Sequence, residues 1–483
     1  MSSTVASKRV NSVDDDVPKD LALAPTASLI RSFAVYSALS FPSFVDASPT
    51  VLSVSTSIPL VKQLALFVVK NTFFKQFVGG ETFQDTIPLI RGLRERNLAC
   101  MLDYSVEVDE AAAIKGHDSL KSHDQQAALQ CQKNISEMMT SIPLIAAVEG
   151  GDGDNPAMRK TWMAIKLSAL VPSEQSLRNL TTALLRTQKE PHAPFSTDIL
   201  YNDSPEAPLT RDDISALQKL HADLKKLGEL AVQHRVRIAI DAEHTWYQPA
   251  IDAFATDLMQ SCNAIAQASP VNPLVYLTFQ AYLRSTSARL KSAVAHANAN
   301  NYILGAKLVR GAYHQQEMDS HTSNSPPPVW SQKQETDQCY NACSEFLLDQ
   351  LASPRSSPTM PKIGILFGTH NKESCDVIMN GLAKRNLASE GPDGVLKVPQ
   401  WVSGQVQLGQ LLGMADGLTN YVSCRLDCQD SPMVLKCVPY GRLEDVMPYL
   451  GRRAIENKSV LGNSNTDAER QRIGGELRRR LFG

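Results

Sequence analysis

The chain has 483 residues, 43% apolar and 20% charged, a balance that suits a globular protein with a sizeable core and excludes a largely disordered chain. Lysine and arginine (48) nearly match aspartate and glutamate (50), and a net charge of -2 gives no long-range pull toward nucleic acid. Nine cysteines lack the two-residue spacing of a zinc knuckle or redox pair, so they read as reduced thiols of a cytosol or mitochondrial matrix.

Residues 1–50 are rich in Ser, Ala and Pro and read as a loosely held arm. Lys8 and Arg9 are followed by Asp14, Asp15 and Asp16, a poor pattern for a mitochondrial transit peptide. The apolar stretch 58–78, with Lys62, Lys70 and Lys75 interspersed, reads as a packing arm, with an interfacial helix as the alternative. No uninterrupted apolar run reaches the roughly 18 residues of a membrane span. Residues 1–95 are therefore expected to form an N-terminal arm, partly disordered and partly helical.

From Leu98 onward, short β-rich runs alternate with helical patterns. Strands are expected at 98–106, 162–170, 236–241, 274–280, 302–309, 363–369, 402–408 and 435–438. Helices are expected at 125–139, 212–233, 249–266, 285–299, 334–351, 372–384 and 443–458. This order predicts an α/β chain folded as a (β/α)8 barrel over residues 96–483, with a C-terminal helical extension.

In such a barrel chemistry gathers at the C-terminal ends of the strands, and polar residues do cluster there. Lys166 lies in the second strand, Asp241 and Glu243 end the third, and Gln280 ends the fourth. The fifth runs out as Lys307, Leu308, Val309, Arg310, Gly311, Ala312 and Tyr313, the sixth as Gly368, Thr369, His370 and Asn371, and the eighth as Pro439, Tyr440 and Gly441. An unsatisfied polar group on an inward position costs roughly 1–3 kcal/mol, so many strands ending this way imply a ligand. Each has a structural alternative: Lys166 paired with Asp241, His370 bonded to backbone, Asn371 capping the helix that follows.

Near the C-terminus Tyr449, Arg452, Arg453 and Glu456 lie at i, i+3, i+4 and i+7 on one helical face. Two adjacent guanidiniums repel unless an anion sits between them, and their planar forks suit a carboxylate or phosphate. The alternative is a solvated edge with an Arg452 to Glu456 pair. Asp241, Glu243, His244 and His370 would also suit a divalent metal in a hydrolase barrel. Lys166, Lys307, Arg310, Arg452 and Arg453 oppose that by raising the local potential and welcoming an anionic cofactor and substrate, so no metal site is expected. Rossmann, P-loop and nucleophile-elbow patterns are absent.

Taken together, KLVRGAY (307–313), GTHN (368–371), IDAEHTWYQPAID (240–252) and YGRLEDVMPYLGRRAIEN (440–457) resemble the proline dehydrogenase family in its eukaryotic branch. The resemblance implies a distorted barrel that binds FAD, oxidises L-proline to 1-pyrroline-5-carboxylate and passes electrons to a quinone. It further implies a mitochondrial location on the matrix side of the inner membrane, with peripheral membrane contact and no nucleic-acid partner. Carried over by position, Arg452, Arg453 and Lys166 hold the substrate carboxylate. Tyr440, Tyr449, Leu411 and Ala312 wall the ring, and Asp241 with Tyr313 orders the pocket. Gln280, Lys307, Val309, Arg310, Gly311, Thr369, His370 and Asn371, with Ala312 beside them, contact FAD, and Glu456 lies near the flavin. Within the family, hydroxyproline-type relatives carry a small residue at the ring wall, so a bulky Tyr440 favours proline over 4-hydroxyproline.

Overall fold

Eight parallel strands close into a barrel in the computed structural model, each hydrogen-bonded to its sequence neighbours and the last to the first. They are β1 Ala99–Tyr104, β2 Thr161–Ile165, β3 Arg237–Ile240, β4 Val275–Gln280, β5 Leu304–Val309, β6 Ile363–Gly368, β7 Val406–Leu411 and β8 Val434–Tyr440. The structure describes residues 18–40, 59–105, 120–150, 159–202, 204, 206–264, 272–322, 325–353, 363–429, 431–459 and 462–482. Most strand residues are buried on both faces, which is why their sequences read as near-continuous apolar runs. Crossover helices include Leu120–Val148, Arg211–His234, Gln248–Cys262, Thr286–Ala299, Lys333–Ala352 and Lys372–Lys384.

Two strand expectations shift. The second strand stops at Ile165, and residues Ser168–Leu170 form a 3-10 turn because the Ser168 amide turns aside to Glu243. The seventh begins at Val406, since Pro399 caps a helical turn, Gln400–Ser403, over the residues expected to be extended. A helix at Glu174–Thr187, whose buried Leu177, Leu180, Thr181 and Leu184 recur at helical spacing, was legible in the sequence but not among the expected elements.

Register decides what fills the barrel. Cross-strand pairs Met101–Trp162, Ala164–Ala239, Ala239–Tyr276, Gly305–Gly364, Leu366–Gln407 and Met101–Cys437 place alternate residues on one inner face. At the N-terminal end that face is a packed plug: the Trp162 and Tyr276 rings lie 4.7 Å apart, ringed by Ala99, Ala164 and Ala239. Arg237 covers the plug, its guanidinium 4.9 Å over the Trp162 ring and donating to Gly404 O at 3.0 Å. Two large rings fit because the facing positions carry no side chain. A Cβ on Gly305 would lie 2.2 Å from Val275 O, and one on Gly364 would lie 2.5 Å from Tyr276 Oη.

By contacts the chain forms two compact units, Val78–Leu412 with Val422–Tyr449, and Met1–Phe77 with Gly413–Tyr421 and Leu450–Gly483. The first holds the barrel. In the second, Leu21, Leu29 and Tyr36 of the N-terminal segment cluster with Ile473 and Leu477 of the last helix, Gly462–Phe482. Arg472 adds an ion pair to Asp20 at 2.6 Å, and Arg480 donates to Leu21 O at 2.6 Å and Ala24 O at 2.8 Å. Residues 18–40 are thus helical and packed, where the sequence suggested a loose arm; their apolar stripe finds its partner more than 400 positions away. The helix Pro59–Val69 leaves Leu64, Phe67 and Val68 exposed on one face. No helix among the described residues is long and apolar enough to cross a membrane.

The plug leaves no room for a side chain at Gly305 of β5. Gly305→Ala is expected to lower the unfolding free energy by about 1–3 kcal/mol through overpacking against backbone. A urea titration checks it; an unchanged midpoint would show that β5 has room to give.

Candidate active site

Above the plug the inner face turns polar. Asp103 of β1, Lys166 just past β2, Asp241 just past β3 and Lys307 of β5 continue the same inward registers. Lys307 Nζ donates to Asp241 Oδ1 at 2.5 Å, and Lys166 Nζ stands 3.8 Å from Asp103 Oδ2. Two ammoniums therefore alternate with two carboxylates around the mouth. Burial would lower the Lys307 pKa, but the charge and hydrogen bond of Asp241 together with the neighbouring Cys437 and Asp103 hold the lysine above its usual range. The sequence left open a Lys166 to Asp241 pair; the fold instead gives Asp241 to Lys307.

Gln280 ends β4 on this inner face, buried, with Nε2 directed at Tyr282 Oη at 3.4 Å. Its Oε1 is buried without a hydrogen-bond partner among the described residues, a condition that a bound donor would relieve. Beyond β5 the backbone turns at Gly311, where a φ of +126° and a Cβ that would fall 2.5 Å from the Tyr282 ring leave no place for a side chain. Gly368 clears room for Val309 in the same way, a Cβ there falling 2.9 Å from Val309 Cγ1.

Arg310 is committed to scaffolding. It donates to Asp337 at 2.8 Å, to Thr369 Oγ1 at 2.7 Å and to Ser374 Oγ at 2.9 Å, with its guanidinium 4.4 Å over the Tyr340 ring. It thereby ties the end of β5 to the loop after β6. In that loop Thr369 Oγ1 accepts from the Asn371 amide, and Asn371 caps the next helix through Ser374 N at 2.9 Å. His370 Nε2 accepts from the Leu411 amide at 3.0 Å, so its neutral ring carries the proton on Nδ1.

Among the described residues no three His, Cys, Asp or Glu side chains gather as they would to hold a metal ion. Asp241 serves Lys307, Glu243 accepts from the Ser168 amide at 3.0 Å, and His244 stacks between Trp246 and Tyr313 at 4.3 and 4.1 Å. Tyr313 thus packs on His244 at the turn after β5. Ala312 beside it is exposed.

One expected wall residue is corrected by the pleat. Residues 435, 437 and 439 share the inner face of β8, so Tyr440 points outward, 5.2 Å from the Tyr104 ring and 3.1 Å from Ser141 Oγ of the β1–β2 crossover helix. The residue facing the mouth is Cys437, next to the pair Met101 and level with the charged ring. Its thiol pKa is pushed well up by burial, then by the Asp103 charge, with Lys307 opposing. Strand alternation counted from Leu435 was the signal that identifies it. Leu411 pairs with Cys437 and shares the inner face.

Tyr449, Arg452 and Arg453 ride on the helix Met447–Ser459, where Tyr449 and Arg453 are both buried. The Glu456 side chain lies outside the described residues.

A family profile described as "Proline dehydrogenase" matches residues 88–466. The "Proline dehydrogenase 1, mitochondrial" of Dictyostelium discoideum is 29% identical over 98% of this chain and 76% of that protein. The "Hydroxyproline dehydrogenase" of Xenopus laevis is also 29% identical, over 94% of this chain and 87% of that one. Among solved structures, proline utilization A of Bdellovibrio bacteriovorus, inactivated by N-propargylglycine, superposes with a TM-score of 0.60 at 17% identity over 92% of this chain. This chain spans 39% of that longer protein, and at this identity the likeness concerns the fold.

The Lys307–Asp241 pair is expected to be mutually dependent. Asp241→Asn strands a buried ammonium and should lose ~3–5 kcal/mol, while adding Lys307→Met to the same chain should recover most of it. Urea midpoints of the three proteins check this; equal midpoints for the parent and Asp241→Asn would break the link.

Proposed function

This chain belongs to the proline dehydrogenase family, and we propose that it oxidises L-proline to 1-pyrroline-5-carboxylate using FAD, with electrons passing to a quinone. The observation that carries this reading is the polar mouth above a sealed plug, where Asp103, Lys166, Asp241 and Lys307 alternate beside the unsatisfied Gln280 oxygen.

The residues fit a flavin. A buried acceptor such as Gln280 Oε1 suits an imide N–H of the isoalloxazine, and Lys307 offers a cation to its electron-rich edge. The glycine at 311, next to Val309 and Ala312, lets the Tyr282 ring pack directly on the backbone of the turn and so fixes the course of this loop. Thr369, His370 and Asn371 line the neighbouring loop, held in place by Arg310. When bound, FAD supplies the hydride acceptor. The chain's own work is orientation and exclusion of water.

Lys166 is assigned to the substrate carboxylate and, by the family resemblance, Tyr449 to a wall of the pocket; the planar forks of Arg452 and Arg453 are of the type that suits a carboxylate. Leu411 shares the inner face with Cys437 and presents an apolar side to the ring. The ring nitrogen must lose its proton before oxidation, and the carboxylates of the mouth lie where such a proton can move.

Delivery of electrons to a quinone requires approach to the lipid that dissolves it. The exposed Leu64, Phe67 and Val68, with Lys62, Lys70 and Lys75 on the same segment, suit peripheral contact with an anionic bilayer. The mitochondrial names of the relatives support a mitochondrial place, and the matrix side of the inner membrane is what the family resemblance adds.

A second reading, oxidation of 4-hydroxyproline, is favoured by one observation. Cys437, not Tyr440, faces the mouth, and a thiol leaves space that a phenol would fill. The steric reason for preferring the unsubstituted ring therefore falls away.

The purified protein is expected to show flavin absorption bands that bleach on anaerobic addition of L-proline and return when quinone-bearing vesicles are added. Leu64→Gln with Phe67→Gln should slow only the return; bands that ignore both proline and 4-hydroxyproline would overturn the reading. Cys437→Tyr is expected to shift the ratio of kcat/KM values toward proline and away from 4-hydroxyproline by at least about tenfold, the order a steric clash supplies. An unchanged ratio would remove Cys437 from the ring wall.

A further inference from the structure

Glu243 is a buried carboxyl that the proposed reaction leaves without a role. Its side chain takes the Ser168 amide at 3.0 Å and the Ser168 hydroxyl as a second donor. Its own amide donates to Gln248 Oε1 at 3.0 Å, and Gln248 is fixed in turn by donating to Asp252 at 2.8 Å. Ser168 opens the turn Ser168–Leu170, two residues beyond Lys166. The carboxyl therefore pins the segment that aims the lysine.

The charges around it decide what its proton does. Lys166 faces it from the end of β2, with Asp103 of β1 3.8 Å beyond that ammonium. Glu174 faces it from the helix after β2, held by the Tyr247 hydroxyl at 2.5 Å, and Arg178 of that helix lies 5.3 Å over the Tyr247 ring. Asp241, two residues away, is matched by Lys307, and the His244 ring next to Glu243 is taken by Trp246 and Tyr313. Asp103 and Asp241 already balance Lys166 and Lys307, two against two. An ionised Glu243 adds a negative charge beside Lys166, which opposes the approach of an anionic ligand to that ammonium. Burial pushes its carboxyl up to about 7, against the pull of Ser168 and Lys166, so this charge appears in the neutral range.

We infer that Glu243 is a positioning residue for Lys166 and that its protonation strengthens the hold of the mouth on a substrate carboxylate. The inference rests on the proposed assignment of Lys166 to that carboxylate. Such a site binds its anion with uptake of one proton above the Glu243 pKa, so affinity falls by up to about tenfold per pH unit there and levels off below it.

The test is calorimetric titration of the FAD-loaded protein with tetrahydrofuran-2-carboxylate, whose ring carries no titrating nitrogen, between pH 5.5 and 8.5. The parent is expected to lose affinity as pH rises through about 7, while Glu243→Gln, which keeps both contacts to Ser168 without the charge, binds with no pH slope. A parent without slope, or a slope retained in Glu243→Gln, overturns the inference. Should Glu243→Gln fail to fold, Ser168→Ala serves instead: loss of a donor to the charged form must move the midpoint to higher pH, and an unmoved midpoint overturns the inference. Lys166→Met separates the two readings. If it binds the probe as the parent does, the carboxylate assignment itself fails; if it loses binding while the parent is level with pH, only the role of Glu243 fails.

Discussion

The structure turns on the requirement that ions inside a closed barrel be paired. An isolated ammonium or carboxylate taken from water to a low-dielectric interior costs several kcal/mol even after relaxation, and a well-placed opposite charge recovers most of that. Lys307 and Asp241 meet at 2.5 Å and Lys166 stands near Asp103, so the mouth carries four ions with little net charge. The arrangement stores electrostatic potential without strong bias toward either sign. Small changes, such as one proton on a neighbouring carboxyl, then decide which ligand is welcome.

A polar mouth of this kind needs a solid floor. Trp162 and Tyr276 supply it, and Arg237 closes it from below through the Trp162 ring and the Gly404 carbonyl. Glycine and alanine at facing positions are the counterpart of the two large rings, as close packing demands that volume added in one strand be removed from its neighbour. With water shut out beneath, every interaction at the mouth acts in a medium where it is stronger.

The loops that frame the mouth are held by side chains spent on structure. Arg310 joins the β5 and β6 ends, Asn371 caps the following helix, and His370 receives the Leu411 amide. These residues sit among those that the family resemblance marks for cofactor contact, and in the structure their polar groups hold the loops in place. Thr245 adds a further tie, donating through its amide and hydroxyl to Glu317 at 2.7 and 2.6 Å. Three of the barrel's loops are thereby set before any ligand arrives.

The sequence by itself determined the eight-strand alternation, the apolar runs of each strand, and the polar residues at strand ends, because these depend on local pattern and composition. The helix at 372–384 and its Asn371 cap were read to the residue for the same reason. What the tertiary structure alone decided is which of these groups meet. The partner of Asp241 is set by barrel closure, which brings β5 to the mouth beside β3 with β4 between them, and sequence distance says nothing about that. Whether Tyr440 or Cys437 faces the ligand is set by strand register, and one residue of offset moves a side chain to the opposite face. The packing of residues 18–40 was hidden because the apolar face they cover belongs to the last helix of the chain, and an amphipathic stripe does not announce its partner.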